Sequence, residues 1–208
     1  MSTAAEDPVE IAVDRALKPL RDDAVRDVEA ILDAALKVAE RSTPAAPRVA
    51  DIVSEAGTSN QAFYRYFTGK DDLMQAVMAR GLRRVRAYLE HLMSRTTEPQ
   101  AQVELWIRGL LTQATNQTAA RQSAAVSEIL SGSHRPNTRT GEAAAALLDL
   151  LQEPLLRMGS TQVEFDALTI YEATMGTMNR HLSLHTAPSP EECDHLVAFC
   201  LHGLNLPE

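Results

Sequence analysis

Aromatic side chains make up only 4% of these 208 residues, glycine (9) and proline (10) are few, and there are two cysteines, Cys193 and Cys200. Each shortage excludes something. Two cysteines form no disulfide framework. On one helix they would stand two turns apart, about 10 Å, beyond the reach of an intrachain bridge. No apolar run exceeds six residues, as in Ala143 to Leu148, which stops at Asp149, against the roughly 20 needed to cross a bilayer. The opening MSTAAEDPVE is acidic and lacks the basic and apolar stretches of a secretion signal, so an intracellular protein without a membrane partner is expected. No Gly-rich phosphate loop and no Ser/His/Asp or Cys/His set is recognisable, so the chain is not read as an enzyme and no cofactor is expected.

What remains is rich in alanine and leucine, with 45% hydrophobic and 23% charged residues. Unbranched aliphatic side chains lose little rotamer freedom in a helix, and no stretch alternates as a strand would. An all-α fold of about nine helices follows. The formal net charge is −8, but it is unevenly spread: residues 1–40 carry −5, residues 41–95 carry +4, and residues 96–208 carry −7. A basic block between two acidic ones points to one region that meets an anionic partner while the rest keeps the chain soluble.

Residues 1–24 read as an arm or a weak helix: Val9, Val13, Leu17 and Leu20 keep helical spacing, but Pro19 interrupts them. From Val25 to about Arg41, Val25, Val28, Leu32, Ala35, Leu36 and Ala39 share one face. Ser42 to Pro47 ends that helix, and a short one follows over Arg48 to Ala56. Gly57 is free to take the left-handed conformation that reverses the chain. Thr58 with Gln61 forms a capping box, with Ser59 as the rival cap, and the next helix runs to about Phe67. Thr68 with Asp71 repeats the signal before a long helix to about Ser94. Five further helices are expected at about 98–117, 119–131, 138–158, 161–184 and 190–203, the third of them kinked at Pro154. The domains expected are 25–68, a compact unit of short helices, and 69–208, with 69–94 as the connecting helix.

Two short helices joined at a glycine, a preceding helix across them and a local positive charge describe a helix-turn-helix. A helix enters the B-DNA major groove when it is short, exposed along one face and held rigidly from behind. The segment Ser59 to Phe67 has that division. Phe63 and Phe67, four apart, turn inward, which leaves Asn60, Gln61, Tyr64, Arg65 and Tyr66 outward. Asn and Gln read adenine edges, while Arg and Tyr hold guanine or phosphate.

RVADIVSEAGTSNQAFYRYFTGKDDL (Arg48 to Leu73) resembles the DNA-binding motif of tetracycline-repressor-like (TetR family) transcriptional regulators, and ILDAALKVAER (Ile31 to Arg41) is similar to their first helix. The resemblance implies a bacterial, cytoplasmic, homodimeric regulator, most simply a repressor. It implies binding to a palindromic double-stranded operator and release by a small-molecule effector. Carried over by position, it implies DNA contacts from Arg48, Thr58, Ser59, Asn60, Gln61, Ala62, Tyr64, Arg65, Tyr66 and Lys70, with Tyr64 and Lys70 on phosphate. Three positions depart from the family pattern: Arg48 stands where Thr is usual, Ala62 replaces a frequent Ser or Thr, and Tyr66 stands where His is common. Together they leave the operator sequence unread.

The C-terminal two-thirds carries less chemistry. His181 and His185 at i, i+4, with Cys193 and His195 beyond, are two possible metal ligands but not a set, and no metal is expected. Apolar stripes run along the last two helices (Phe165, Leu168, Met175 and Leu182; Leu196, Val197, Cys200 and Leu204), and the resemblance implies a dimer interface there, in residues 161–204. Trp106, Gln113, Asn116, His134, Met158, Tyr171, Met175 and Met178 are candidate lining for a mostly apolar effector pocket. The alternative is a helical metal- or ligand-binding protein, enzyme or adaptor, that has lost DNA binding. It leaves the basic block unexplained.

Overall fold

Pro19 does not end a helix. In the computed structural model, which describes residues 7–42, 47–115 and 138–204, α1 runs unbroken from Pro8 to Ser42 with Pro19 inside it. Of the arm or weak helix expected at 1–24, residues from Pro8 onward are helical, and the helix start expected near Val25 is corrected, since the two stretches form one helix. Proline withdraws one N–H and displaces one carbonyl, and on an exposed turn that carbonyl is free to bond water instead. Asp7 helps start the helix, its Oδ1 accepting from the Val9 amide at 2.9 Å. Val25, expected inward, is exposed. The packed face begins with half-buried Val28 and buried Ile31.

After α1 come α2 (Val49–Glu55), α3 (Asn60–Tyr66), α4 (Lys70–Met93) and α5 (Pro99–Thr115). Then follow α6 (Thr138–Arg157), α7 (Val163–Leu184) and α8 (Pro190–His202). No strand occurs among the described residues. The helix expected at 119–131 lies outside them. Pro154 stays inside α6 with its ring buried. Gly159, at φ +91°, closes that helix, with the Ser160 amide reaching back to the Leu155 carbonyl at 3.1 Å.

The buried side chains fall into two clusters. Ile31, Ala35, Val38, Ile52, Phe63, Phe67, Leu73 and Met74 close the first, between α1, α2, α3 and the start of α4. Trp106, Ile107, Leu110, Leu147, Leu151 and Ile170 centre the second, between the end of α4 and helices α5 to α8. Helix α4 belongs to both, through Leu73, Met74 and Val77 at one end and Leu89 and Met93 at the other. Polar ties hold it along its length. Arg80, buried, pairs with Asp33 of α1 at 2.8 Å, and Arg86 Nη1 donates to the Ala146 carbonyl of α6 at 2.8 Å. At Gly109 of α5 the backbones approach closely: a Cβ there would stand 2.6 Å from Leu89 Cδ2 and 2.8 Å from Leu92 Cδ1.

Candidate nucleic-acid interface

Arg48 precedes α2 in extended conformation (φ −93°, ψ 145°), its side chain exposed and making no cap bond. Helix α2 is two turns long and buries Ile52 and Val53. Gly57, at φ +63°, reverses the chain as expected. Its amide bonds the Ser54 carbonyl at 3.3 Å, and the Thr58 amide bonds the Val53 carbonyl at 3.1 Å. An L side chain at that φ would be strained.

Of the two candidate caps for α3, the structure uses Ser59: its Oγ accepts from the Ala62 amide at 3.1 Å. Phe63 is fully buried and Phe67 nearly so, their rings 5.7 Å apart. This anchors the helix from behind and turns Asn60, Gln61, Tyr64 and Arg65 to solvent, with Ala62 half-buried. Tyr64 is 60% exposed, its ring edge-on to Phe63 at 5.1 Å. Its ring is open to solvent, and its hydroxyl has no hydrogen-bond partner among the described residues, which leaves it placed to meet something outside the chain.

Tyr66 differs from its expected outward position. It is half-buried against the first core, its hydroxyl donates to Asp27 Oδ2 at 3.2 Å, and the Arg65 guanidinium lies 5.8 Å from its ring centre. Local spacing held no signal for Asp27, because the contact spans 39 residues. The cap before α4 is also revised. Gly69 occupies the N-cap, and Asp72, not Asp71, reaches back to the Thr68 amide at 3.0 Å and its hydroxyl at 3.3 Å. Lys70 follows as the first residue of α4, half-exposed.

The electrostatics of this face depend on where its carboxylates go. Glu55 is taken by Arg41 at 2.8 Å and Lys37 at 3.8 Å, Asp72 by Thr68, and Glu90 by Arg86 at 2.8 Å. Among the described residues Arg48, Arg65 and Lys70 form no such ion pair, and Arg83 and Arg84 are exposed on α4. Asp51 and Asp71 stay exposed beside these cations, so the positive charge of the face lies at Arg48, Arg65 and Lys70 and is partly offset by two carboxylates.

The family model for bacterial regulatory proteins of the tetR family matches residues 31–77, the span that contains this arrangement. Over that span the N-terminal unit is similar to tetR-family regulators. Curated proteins give no match to the chain. Solved structures extend the likeness to the whole tetR-like fold. FadR, the fatty acid degradation regulator of Bacillus halodurans, superposes with a TM-score of 0.65 at 17% identity, covering 85% of this chain and 99% of its own. FadR of Bacillus subtilis, in complex with stearoyl-CoA, gives 0.57 at 15% identity, over 85% and 99%. RolR, in complex with resorcinol, gives 0.60 at 14%, over 89% and 91%. At these identities the likeness is one of fold.

The C-terminal candidates are placed less evenly. Trp106, Met158, Tyr171, Met175 and Met178 meet in the second core, while Asn116, His134 and the side chain of Gln113 lie outside the described residues. Trp106 is structural: it is fully buried, and its indole N–H donates to the Leu147 carbonyl at 3.1 Å. Tyr171, its ring 6.3 Å from that of Trp106, is half-buried, as are Met158 and Met175 at the edge of this core, and burial, with the charge of Glu172, pushes the Tyr171 hydroxyl above its ordinary range. The apolar stripes also divide. Leu182, Val197 and Cys200 face the chain's own core, whereas Phe165 (69% exposed), Leu168, Leu184 and Phe199 (65%) face outward. Spacing alone did not separate these faces.

Both ring nitrogens of His181 are engaged, Nδ1 with Thr186 Oγ1 and Nε2 with Glu192 Oε2, each at 2.8 Å. His185 is exposed and ends α7 in left-handed conformation. These residues join α7 to α8. Among the described residues no three of His, Cys, Asp and Glu gather as a metal set. Burial raises both thiols, Cys193 and Cys200, which makes them poor nucleophiles.

Proposed function

We propose that this chain is a ligand-responsive transcriptional regulator, a repressor that binds a palindromic operator as a homodimer in a bacterial cytoplasm and leaves it when a small molecule binds. One observation carries the reading. Within the segment matched by the tetR-family model, α3 seals Phe63 and Phe67 into the core and holds Asn60, Gln61, Tyr64 and Arg65 on its open face. Amide and guanidinium groups on a rigid short helix are what base edges require, and a lysine opening α4 suits phosphate. In this reading residues 25–68 are the DNA-binding unit and residues 69–208 the ligand and dimer unit. Arg48, Thr58, Ser59 and Ala62 complete the contact surface, and Tyr66 holds the surface in place through Asp27.

Two recognition helices must reach major-groove faces about 34 Å apart, which takes two copies. The outward Phe165, Leu168, Leu184 and Phe199 supply an apolar face for that contact, with Gly176 open on α7. The effector enters against Tyr171, Met175 and Met158. The ligands in the solved relatives, stearoyl-CoA and resorcinol, support a small-molecule site in this fold. The test is selection of bound duplexes from a random pool with purified protein, followed by release with candidate metabolites. An enriched inverted repeat is expected. A pool that stays random would contradict the reading.

A further inference from the structure

The first five turns of α1 touch nothing. From Asp7 to Asp23 every residue is exposed, and Val9 (67%), Val13, Leu17 and Leu20 (66%) line one side. At about 100° per residue, that stripe continues the face on which Ile31, Ala35 and Val38 enter the first core. An isolated helix of this length is marginal in water without cover for its apolar face.

We propose that this stripe pairs, antiparallel, with the same segment of a second copy. Two patterns share one midpoint, between Asp14 and Arg15. About it, Val9 lies opposite Leu20, Ala12 opposite Leu17 and Val13 opposite Ala16, each a larger side chain against an equal or smaller one. Charge also divides near that point: Asp7, Glu10 and Asp14 precede it with no base among them, while Arg15, Lys18 and Arg21 follow it and outnumber Asp22 and Asp23 at the far end. Antiparallel pairing lays the acidic half of one copy along the basic half of the other. Glu10 and Arg21 fall about 20° apart on the helical wheel, on the same flank of the stripe, where such a pair meets across the seam. Parallel pairing sets like charge on like. Pro19 lies off the stripe, so it does not enter the seam. The segment carries more acid than base, which disfavours DNA as its cover.

Four large apolar residues a side form a small interface, below the roughly 1,200–2,000 Å² of a stand-alone complex. Cross-linking therefore reads it better than sedimentation. The proposal holds whether or not the chain binds DNA. The test uses the full chain with Val13→Cys and a short bismaleimide, with the parent chain as control for Cys193 and Cys200. Copy-to-copy cross-linking through residue 13 well above the parent is expected. Adding Glu10→Lys should lower it by roughly fivefold, and adding Arg21→Glu to that variant should restore it. Yield no greater than the parent's would overturn the proposal, and so would a charge reversal that neither lowers nor restores the yield. Circular dichroism of each variant checks that the helix persists.

Discussion

The two cores of this molecule are built on different terms. The first closes around two short helices whose ends are set by named groups: Gly57 at φ +63°, Ser59 capping Ala62, Asp72 reaching back to Thr68. Its outer surface carries specific hydrogen-bonding groups. The second closes around long helices packed through leucine, isoleucine and one tryptophan, and its outer surface offers Phe165, Leu168 and Phe199. Short helices need their caps, because neither length nor propensity holds them in place. Long helices are held by packing and tolerate varied side chains, which frees the second region to change its contents while the first keeps its chemistry.

The sharpest break between them is Phe63→Ala. Phe63 is fully buried at the centre of the first core, and its removal should cost about 3–5 kcal/mol there. The chain's one tryptophan, Trp106, sits in the second core and reports on it alone. Urea unfolding followed by circular dichroism should lose its early helical signal, while the Trp106 emission midpoint moves little. A common shift in both signals would mean that the cores unfold as one.

Gly109→Ala addresses the seam. The added Cβ meets Leu89 and Leu92 side-chain atoms, and overpacking of this kind costs about 1–3 kcal/mol. Because Leu89 is fully buried, the strain falls on α4, the helix the cores share. The Trp106 midpoint should fall. An unchanged midpoint would show that the two leucines give way freely.

Gln61→Ala acts on the surface of the first region only. It should relax discrimination at one operator position by about 1–3 kcal/mol without moving either unfolding midpoint. Competition between the selected duplex and single-base variants measures it. Equal loss against every duplex would place Gln61 on the backbone and not on a base.

The smallest effect belongs to the α7–α8 joint. Burial works against the Glu192 carboxylate, but hydrogen bonds from His181 and Arg180 hold it below the ordinary carboxylate range. A depressed carboxyl contributes stability above its unfolded value, about 4.3, and loses it as the pH falls through the folded value. Glu192→Gln should therefore lower the Trp106 midpoint at neutral pH, and the gap from the parent should close below about pH 4. A gap independent of pH would mean that shape, not charge, joins the helices.

Sequence reading succeeded where a side chain acts on its neighbours. The Gly57 turn and the inward Phe63 and Phe67 follow from spacing, and α4 to α8 fall within a few residues of their expected bounds. It failed where distance or competition decides. Pro19 reads as an interruption, yet it lies inside α1 on an exposed turn that absorbs it. Tyr66 was turned outward because Asp27, far along the chain, is invisible to local pattern. The apolar stripes of α7 and α8 mixed inward with outward residues, since these helices carry apolar side chains on both faces. The Trp106 N–H on the Leu147 carbonyl, 41 residues away, is likewise invisible to local pattern.

The claim that the first region reads DNA through α3 and the start of α4 is tested most directly at Lys70. Binding of the selected duplex is measured across a salt series for the parent and for Lys70→Ala. Loss of one phosphate contact should weaken binding to all duplexes alike and flatten the slope of log K against log salt by about one. A variant with the parent's affinity and the parent's slope would contradict this placement of the helix-turn-helix on the duplex.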